Sequence, residues 1–324
     1  MRGFKRGVVS QVFVFIVFFS TPAQAAFPQK PVRMVAPFPA GGSSDLVGRV
    51  IAHGLSETWG QQVIVDNRPG AGGSVGTALV ARSPADGYTL LLGGLSPTAI
   101  NLALYKNPGY YTPRDLIAIV PVASSATMLA VHPGVRANTV LELVALARAK
   151  PGALTCGSGG IGTPAHLVCE MLKHAAKIDL LHVAYKGTGQ SVNDLLGGQI
   201  QMVFASMPVG YPHAQSGKVR ALAVTSSTRT PLAPELPTFA EAGVPGVVFD
   251  NWWGMFLPVG TPQAIVDKAA ADITRIVLRP EVKKRYATLG TDVFTMPHKD
   301  FITFSRNEVI KFVQVVKDAG LQPE

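Results

Sequence analysis

The chain has 324 residues, of which 47% are hydrophobic and 15% charged, and its formal net charge is +9. This length exceeds what one hydrophobic core usually serves, so we expect two domains with large apolar cores. The positive charge is scattered, with one tight cluster at 283–285 and no interleaved aromatic residues, which argues against a nucleic-acid-binding protein.

The first 25 residues have the pattern of a cleavable secretory signal. Three basic residues precede an apolar run at 8–19, and an A-x-A cleavage motif ends at Ala25. The apolar run is shorter than the roughly 18 to 20 residues that a membrane span needs, and no later stretch reaches that length. We therefore predict export to the periplasm, with cleavage after Ala25 and a soluble mature protein.

Short apolar strands and helical segments alternate from residue 29 onward. Strands are predicted at 32–36, 62–66 and 88–92, and helices from residue 46 and at 74–82. A strand, helix, strand order indicates a parallel sheet. The segment 29–94 is therefore predicted to begin a doubly wound α/β domain.

A fifteen-residue apolar stretch at 117–131 has a length that suits a crossover to a second domain. The pattern then repeats, with strands at 154–157, 180–185, 201–205 and 219–225 and helices at 140–150, 164–176 and 191–196. An aromatic-rich run at 251–258 is predicted to return to the first domain, and amphipathic helices at 261–278, 280–289 and 300–319 complete the chain. Two crossings imply a hinge between one lobe, 26–126 with 252–324, and another, 127–251.

Two glycine-rich turns, PFPAGGSSD at 37–45 and CGSGGIGTPAH at 156–166, each lie between a predicted strand and a predicted helix. A shift of 121 positions aligns Gly41 with Gly162 and aligns the apolar positions of the two helices that follow. Glycines allow backbone amides to approach an anion at a helix N-terminus, where free N–H groups and the helix dipole favour negative charge. The repeat predicts an internal duplication whose two turns hold one anionic ligand between the lobes.

The side chains beside these turns have structural alternatives. Thr163, which precedes a proline, either caps its helix or contacts the ligand. His166 in the next turn either has a structural role or donates a hydrogen bond to a carboxylate. In the first lobe, Ser43 or Ser44 is predicted to cap the helix and Asp45 to complement its dipole.

The sequence also contains a partial dinucleotide-binding fingerprint. Gly157, Gly159 and Gly162 satisfy G-x-G-x-x-G between a strand and a helix. A Rossmann site requires an acid at the end of the next strand, where this chain has Ala-Tyr-Lys at 184–186. Without that acid, the ribose hydroxyls of NAD have no partner, and Lys186 could at most contact the 2′-phosphate of NADP. Dinucleotide binding is therefore disfavoured, and no cofactor is predicted.

A G-x-S-x-G motif around Ser74 raises the alternative of a secreted hydrolase. The motif stands in a long turn, whereas a nucleophile elbow lies directly between a strand and its helix. Asp250 and His298 follow Ser74 in the order that a Ser-Asp-His triad of this type requires. However, the aromatic crossover and the C-terminal helices are poor predicted settings for catalytic residues. We therefore predict a protein without catalytic residues.

Cys156 and Cys169 are the only two cysteines. In an oxidising compartment they either form a disulfide or remain buried thiols. Their spacing includes no CxxC motif and gives no signal for a metal site.

The run at 30–93 closely resembles the opening of the Bug proteins, the TctC-like periplasmic receptors of tripartite tricarboxylate transporters. The resemblance continues in CGSGGIGTPAHL, HVAYKGTGQSVNDLLGGQIQMVF, VRALAVTSSTRTPLAPELPTFAEAG and WWGMFLPVGTP. It covers essentially the whole chain after the predicted signal. It implies a two-lobed α/β periplasmic binding protein of the Venus flytrap type II class. Such a protein is a monomer that closes over a small carboxylated solute and presents it to membrane permease subunits.

In relatives, the two glycine turns grip one ligand carboxylate through backbone amides, hydroxyls and water. The matching positions here are Ala40, Gly41, Gly42 and Ser43 in one lobe, Ser158, Gly159, Gly162, Thr163 and His166 in the other, and Ser96 as a weaker candidate. Many relatives carry an aspartate that can face the cleft where this chain has Ala205, which is the eleventh predicted site residue. We therefore expect amino acids to bind poorly and carboxylates without a nearby ammonium to bind better. A sensor input that docks on a signalling protein when loaded is the alternative to transport.

Overall fold

The computed structural model describes residues 27–318, so the predicted signal at 1–25 lies outside the described residues. The strands are β1 (Val32–Ala36), β2 (Val63–Asn67), β3 (Thr89–Gly94), β4 (Leu116–Val131), β5 (Thr155–Ser158), β6 (Leu181–Ala184), β7 (Met202–Ser206), β8 (Arg220–Val224) and β9 (Asp250–Pro258). Within this range, none of the helices is long and apolar enough to cross a bilayer.

The helices of the first half are α1 (Ser43–Trp59), α2 (Ser74–Ala81), α3 (Asn101–Leu104), α4 (Thr112–Asp115) and α5 (Val140–Ala149). Those that follow are α6 (Pro164–Ala176), α7 (Thr188–Leu196), α8 (Met207–Gln215), α9 (Gln263–Val277), α10 (Pro280–Leu289) and α11 (His298–Asp318). A 3-10 turn at Ala71–Gly73 precedes α2, and a π-helical turn at Ser96–Ile100 precedes α3.

The described strands form one sheet in the order β2-β1-β3-β9-β4-β7-β5-β6, with β8 also paired to β4. β1 pairs in parallel with β2 and β3, and β5 pairs in parallel with β6 and β7. β9 is antiparallel to β3 and β4. The predicted alternation of strands and helices therefore produces two parallel units, as a strand–helix–strand order requires.

β4 changes partners along its length, and this change divides the molecule into two lobes. Residues 116–126 pair with β9, whereas 127–131 pair with β7 and β8. We call the half with β1–β3 and α9–α11 the first lobe, and the half with β5–β8 the second lobe. β4 and the segment leading into β9 connect them.

Helices α1 and α6 pack in equivalent ways against their lobes. Val47 and Ile51 of α1 and Leu167 and Leu172 of α6 are at most 1% exposed. These positions recur at helical spacing, so each helix buries one apolar face. Each such side chain contributes roughly 1.5 to 3 kcal/mol by burial, which anchors both helices with their N-termini at the same edge of the sheet.

Cys156 of β5 and Cys169 of α6 form a disulfide. Their Cα atoms are 6.6 Å apart and both residues are buried. Of the two alternatives that the sequence left open, the structure has the disulfide. The bond joins the strand and the helix that flank the second glycine turn.

Candidate binding site

A cavity of about 360 Å³ lies between the lobes. It opens at the carboxyl ends of β1, β3, β6 and β7, the edge at which open α/β sheets bind ligands. Its wall is formed by Phe38, Pro39, Ala40, Gly42, Ser43, Ser44, Gly94, Leu95, Ser96, Pro97, Thr127, Thr163, Pro164, Ala165, Gly187, Thr188, Gly189, Gln190, Asn193, Phe204, Ser206, Asn251 and Trp253. None of these side chains is charged.

Four helix N-termini border this cavity. The N-caps of α1, α6, α7 and α8 are Gly42, Thr163, Gly187 and Ser206, and all four lie in its wall. No N-cap side chain accepts a hydrogen bond from its own helix. The N-cap side chains therefore do not occupy the first-turn N–H groups, although Pro164 and Pro208 supply none and the Gln190 amide donates to the Gly187 carbonyl at 3.1 Å. Each N-terminus carries roughly half a positive charge. The cavity offers dipoles to an anion in place of charged side chains.

The first glycine turn is closed by its own backbone and by Asp45. The Gly42 amide donates to the Pro39 carbonyl at 3.3 Å, and Gly41 has a φ of +79°, a conformation that favours glycine. The Gly41 amide donates to Asp45 Oδ2 at 3.0 Å, and Arg49 Nε contacts the same oxygen at 2.9 Å. Burial opposes ionisation of this carboxyl, but the hydrogen bonds from Arg49 and Gly41 outweigh it, and the pKa of Asp45 is lowered. The Gly41 amide is thus used within the turn.

The second glycine turn has the same backbone arrangement. The Thr163 amide donates to the Gly160 carbonyl at 3.2 Å, and Gly162 has a φ of +76°. The Gly162 amide donates to His166 Nδ1 at 3.3 Å. Thr163 Oγ1 donates to the Gly160 carbonyl at 2.6 Å, so its side chain closes the turn and does not cap α6.

A buried histidine pair lies behind the second turn. The rings of His166 and His182 are 4.4 Å apart between centroids, and His182 Nε2 is 2.7 Å from Ser158 Oγ. Burial lowers the pKa of each histidine to about 4. Both rings are therefore neutral at pH 7. Ser158 is fully buried, so its hydroxyl supports this pair without reaching the cavity.

Ser43 and Ser44 have roles other than the predicted helix cap, because the N-cap of α1 is Gly42. Ser43 Oγ lies 2.5 Å from Ser206 Oγ, which belongs to the second lobe. Ser44 Oγ accepts a hydrogen bond from Trp253 Nε1 at 2.9 Å. The first serine thus links the lobes, and the second orients an aromatic wall of the cavity.

The lobes are in direct contact around the cavity. Ser96 Oγ donates to the Gly162 carbonyl at 2.5 Å, and Tyr105 Oη donates to the Ile161 carbonyl at 2.9 Å. Both donors belong to the first lobe and both acceptors to the second. The two lobes are therefore joined by direct hydrogen bonds beside the cavity.

The structure brings five of the eleven predicted site residues into the cavity wall: Ala40, Gly42, Ser43, Ser96 and Thr163. Four others, Gly41, Ser158, Gly162 and His166, lie outside that wall, where they hold the two turns. Gly159 and Lys186 border a second cavity of about 670 Å³, which shares Phe38, Pro39 and Gln190 with the first. The predicted site residues therefore do not all lie in the cavity wall, because several of their amides and side chains bond to one another within the turns.

The prediction that residue 205 faces the cleft is wrong. Side chains alternate along a strand, and in β7 Phe204 and Ser206 are the residues that line the cavity. Ala205 is fully buried in the apolar cluster of the second lobe. A Cβ added to Gly210 of α8 would lie 2.8 Å from the Ala205 Cβ, so the Ala205 side chain packs against that helix.

Sequence reasoning missed the N-terminus of α7 as part of the site. Gly187, Thr188 and Gly189 line the cavity, whereas the predicted helix begins only at residue 191, after the glycine-containing turn. The signal was present as a third glycine-containing turn between a strand and a helix. The polar side chains of Asn193 and Asn251 also line the cavity and carried no sequence motif.

The residues considered for hydrolysis are not brought together. Ser74 Oγ accepts from Asn101 Nδ2 at 2.8 Å and lies near the Tyr110 hydroxyl. His298 Nδ1 lies 2.8 Å from the Ile119 carbonyl. Across 27–318, no group of three or more His, Cys, Asp or Glu side chains is arranged to hold a metal ion.

Comparison with known proteins identifies the family. Residues 47–321 match the model of TctC, the tripartite tricarboxylate transporter family receptor. The chain belongs to the TctC family. It is 34% identical over 312 residues to the protein BugT of Bordetella pertussis, covering 95% of each chain.

Two solved structures have the same fold as this TctC-family chain. The periplasmic binding protein BugD matches with a TM-score of 0.88 and 34% identity, covering 92% of this chain and all of BugD. Rpa4515 of R. palustris, solved with adipate, matches with a TM-score of 0.89 and 31% identity over 92% of this chain and 100% of its own. The predicted family and the two-lobed periplasmic-binding-protein fold are confirmed. The family and these neighbours are solute-binding proteins.

Proposed function

We propose that this TctC-family protein captures a small organic acid between its lobes and delivers it to the permease subunits of a tripartite tricarboxylate-type transporter. The observation that carries the proposal is the convergence of four helix N-termini on a cavity without charged side chains. Such a site favours a carboxylate. The adipate in the relative Rpa4515 is a dicarboxylate and supports this ligand class.

The proposed carboxylate contacts come from both lobes. Ser43 and Ser44 at the start of α1, Ala165 at the start of α6 and Thr188 at the start of α7 all line the cavity, and in this proposal their amides bind the carboxylate. Each hydrogen bond to a charged ligand contributes roughly 1.5 to 3 kcal/mol. Because neither lobe supplies the full set, the ligand stabilises the closed form.

In this proposal the protein is exported by residues 1–25, acts as a monomer, and binds its solute without cofactor or catalysis. The lobes comprise 26–126 with 252–324, and 127–251. The change of strand partner in β4 between Ala126 and Thr127 supports the first boundary. Closure then bends β4 and the segment entering β9.

A panel of organic acids tests the ligand class. We expect the melting temperature of the mature protein to rise with at least one carboxylate among the dicarboxylates from malonate to suberate and the aromatic acids. Mass action gives about 2.7 kcal/mol of stabilisation at a ligand concentration 100 times Kd. Calorimetry of each hit supplies the affinity. If no acid in the panel shifts the melting temperature while a neutral or cationic solute does, the proposal is wrong.

Amino acids are expected to bind at least tenfold more weakly than the matched acids without the amino group. This expectation rests on the cavity wall, which has no carboxylate that could pair with the ammonium group of an amino acid. An unpaired buried charge is strongly unfavourable. Calorimetry with glutarate against glutamate, and succinate against aspartate, makes the comparison at constant chain length. Tighter binding of the amino acid in both pairs would contradict this prediction.

Uptake separates transport from the sensor alternative. In cells that carry the permease subunits, deletion of the receptor is expected to abolish accumulation of the radiolabelled acid found by the panel. Expression of the wild-type chain should restore accumulation. Unchanged uptake, with a lost transcriptional response to the acid, would instead indicate a sensor.

A further inference from the structure

The two glycine turns share a side-chain contact as well as a backbone shape. In each turn the positive-φ glycine donates its amide to the side chain four residues later, from Gly41 to Asp45 Oδ2 at 3.0 Å and from Gly162 to His166 Nδ1 at 3.3 Å. Both contacts obey the same shift of 121 positions that aligns the helices. We call each contact an amide clamp. One clamp uses a carboxylate and the other an imidazole.

We propose that Asp45 and His166 are equivalent positioning residues of the binding site. Each withdraws the glycine amide into its own turn and thereby fixes the direction of the amides that begin the next helix. Those amides border the cavity, whereas the two clamping side chains do not line it.

The chemistry of the two clamps differs because their neighbours differ. Asp45 Oδ2 is also held by Arg49 at 2.9 Å, so its negative charge is paired. The same shift places Glu170 at the position equivalent to Arg49, and Glu170 pairs with Lys173 at 2.9 Å. Lys173, the cation that acts on residue 166, is already paired with Glu170, so a carboxylate at 166 would lack a cation of its own beside an anion site. The neutral imidazole of His166 still accepts the hydrogen bond from the Gly162 amide, but it adds no negative charge.

A purely space-filling histidine makes the opposite prediction. His166 is only 7% exposed, so leucine would replace a space-filling ring better than asparagine would. If the clamp matters, asparagine replaces His166 better than leucine does. Asparagine Oδ1 lies near the position of histidine Nδ1 and accepts a hydrogen bond, whereas leucine has no acceptor.

Amide hydrogen exchange of the full mature chain without ligand, measured by NMR, tests the clamp. In His166→Leu we expect the Gly162 amide to exchange at least tenfold faster than in the wild type, and in His166→Asn within about twofold. The Gly41 amide is the internal control and should not change in either variant. Equal protection of Gly162 in both variants, or faster exchange in His166→Asn, overturns the proposal.

A wild-type measurement covers the case in which His166→Leu does not fold. The ¹⁵N shift of His166 Nδ1 must be that of an unprotonated nitrogen, since a protonated Nδ1 cannot accept from Gly162. A protonated Nδ1 at pH 7 overturns the proposal. The pair Asp45→Asn and Asp45→Leu repeats the exchange experiment on Gly41.

The link to binding rests on the proposed function and is measured separately. With adipate as the probe, His166→Asn should bind within about threefold of the wild type and His166→Leu at least tenfold more weakly. His166→Asp should keep Gly162 protected yet bind adipate at least tenfold more weakly, because it adds an unpaired charge. If adipate does not bind the wild type, this ligand choice fails, while the exchange data still decide the positioning role.

Discussion

Replacing Gly187 with alanine is expected to weaken ligand binding by roughly 10- to 100-fold without unfolding either lobe. Gly187 has a φ of 171°, an extended conformation that any residue adopts. A Cβ at this position would lie 2.7 Å from Pro39 Cγ, which belongs to the first lobe. The clash therefore arises only when the lobes meet. Overpacking of this kind costs about 1 to 3 kcal/mol, and here the closed form alone bears that cost. Calorimetry with the best acid of the panel measures the loss.

Pro39 supplies a second-site control for this prediction. In the background Pro39→Ala, the alanine at 187 would keep only the Pro39 Cβ contact at 3.6 Å, which is ordinary van der Waals distance. The double variant should therefore bind close to the level of Pro39→Ala alone. The melting temperature of ligand-free Gly187→Ala should match the wild type. Wild-type affinity in the single variant, or an equal loss in both backgrounds, would show that closure does not bring these residues together.

Much of the fold could be predicted because burial produces periodic apolar residues and helix starts favour particular residues such as proline. The strand 32–36 and the helices 164–176 and 280–289 agree with β1, α6 and α10. A proline at the first helical position marks the start of both helices. The 121-residue shift also placed the two turns in equivalent positions, and their φ values of +79° and +76° agree with it.

Helix α8 was missed because its sequence opposes helix prediction. The segment MPVGYPHAQ carries a glycine and two prolines, with Pro212 inside the helix, and these residues disfavour helix interiors. Tertiary packing overrides that preference, since Met207 is buried against the second-lobe core. With α8 unrecognised, its N-cap Ser206 could not be assigned to the cavity.

The direction of individual side chains and amides was the least predictable part of the site. The sequence located both turns, but it did not show that Gly41 and Gly162 donate their amides to Asp45 and His166. The error at Ala205 has the same origin, because a shift of one residue along a strand exchanges the two faces of the sheet. Periodicity locates elements, whereas these contacts depend on three-dimensional neighbours.

Acidification from pH 6.5 to pH 4 is expected to destabilise the ligand-free protein by roughly 3 kcal/mol through His166. Burial lowers the pKa of His166 to about 4 from the usual 6.5, so the unfolded chain binds a proton that the folded chain does not. The stability contributed by the neutral, buried His166 is fully present above pH 6.5, and it is lost as the pH falls from 6.5 to 4. His182, whose pKa burial also lowers to about 4, is partly exposed and adds less.

The charged groups that act on this pair are Glu170 and Lys173 of α6 and the neighbouring ring itself. The double variant His166→Asn with His182→Gln removes both titrating rings and keeps acceptors for Gly162 and Ser158. Its unfolding free energy, from urea titrations at each pH, should start below that of the wild type at pH 7. The difference in unfolding free energy between the wild type and the double variant should narrow between pH 6.5 and 4, because only the wild type loses the histidine contribution. Carboxylates elsewhere titrate in both proteins and cancel in the difference, so a constant gap across this window would show that the rings do not carry the effect.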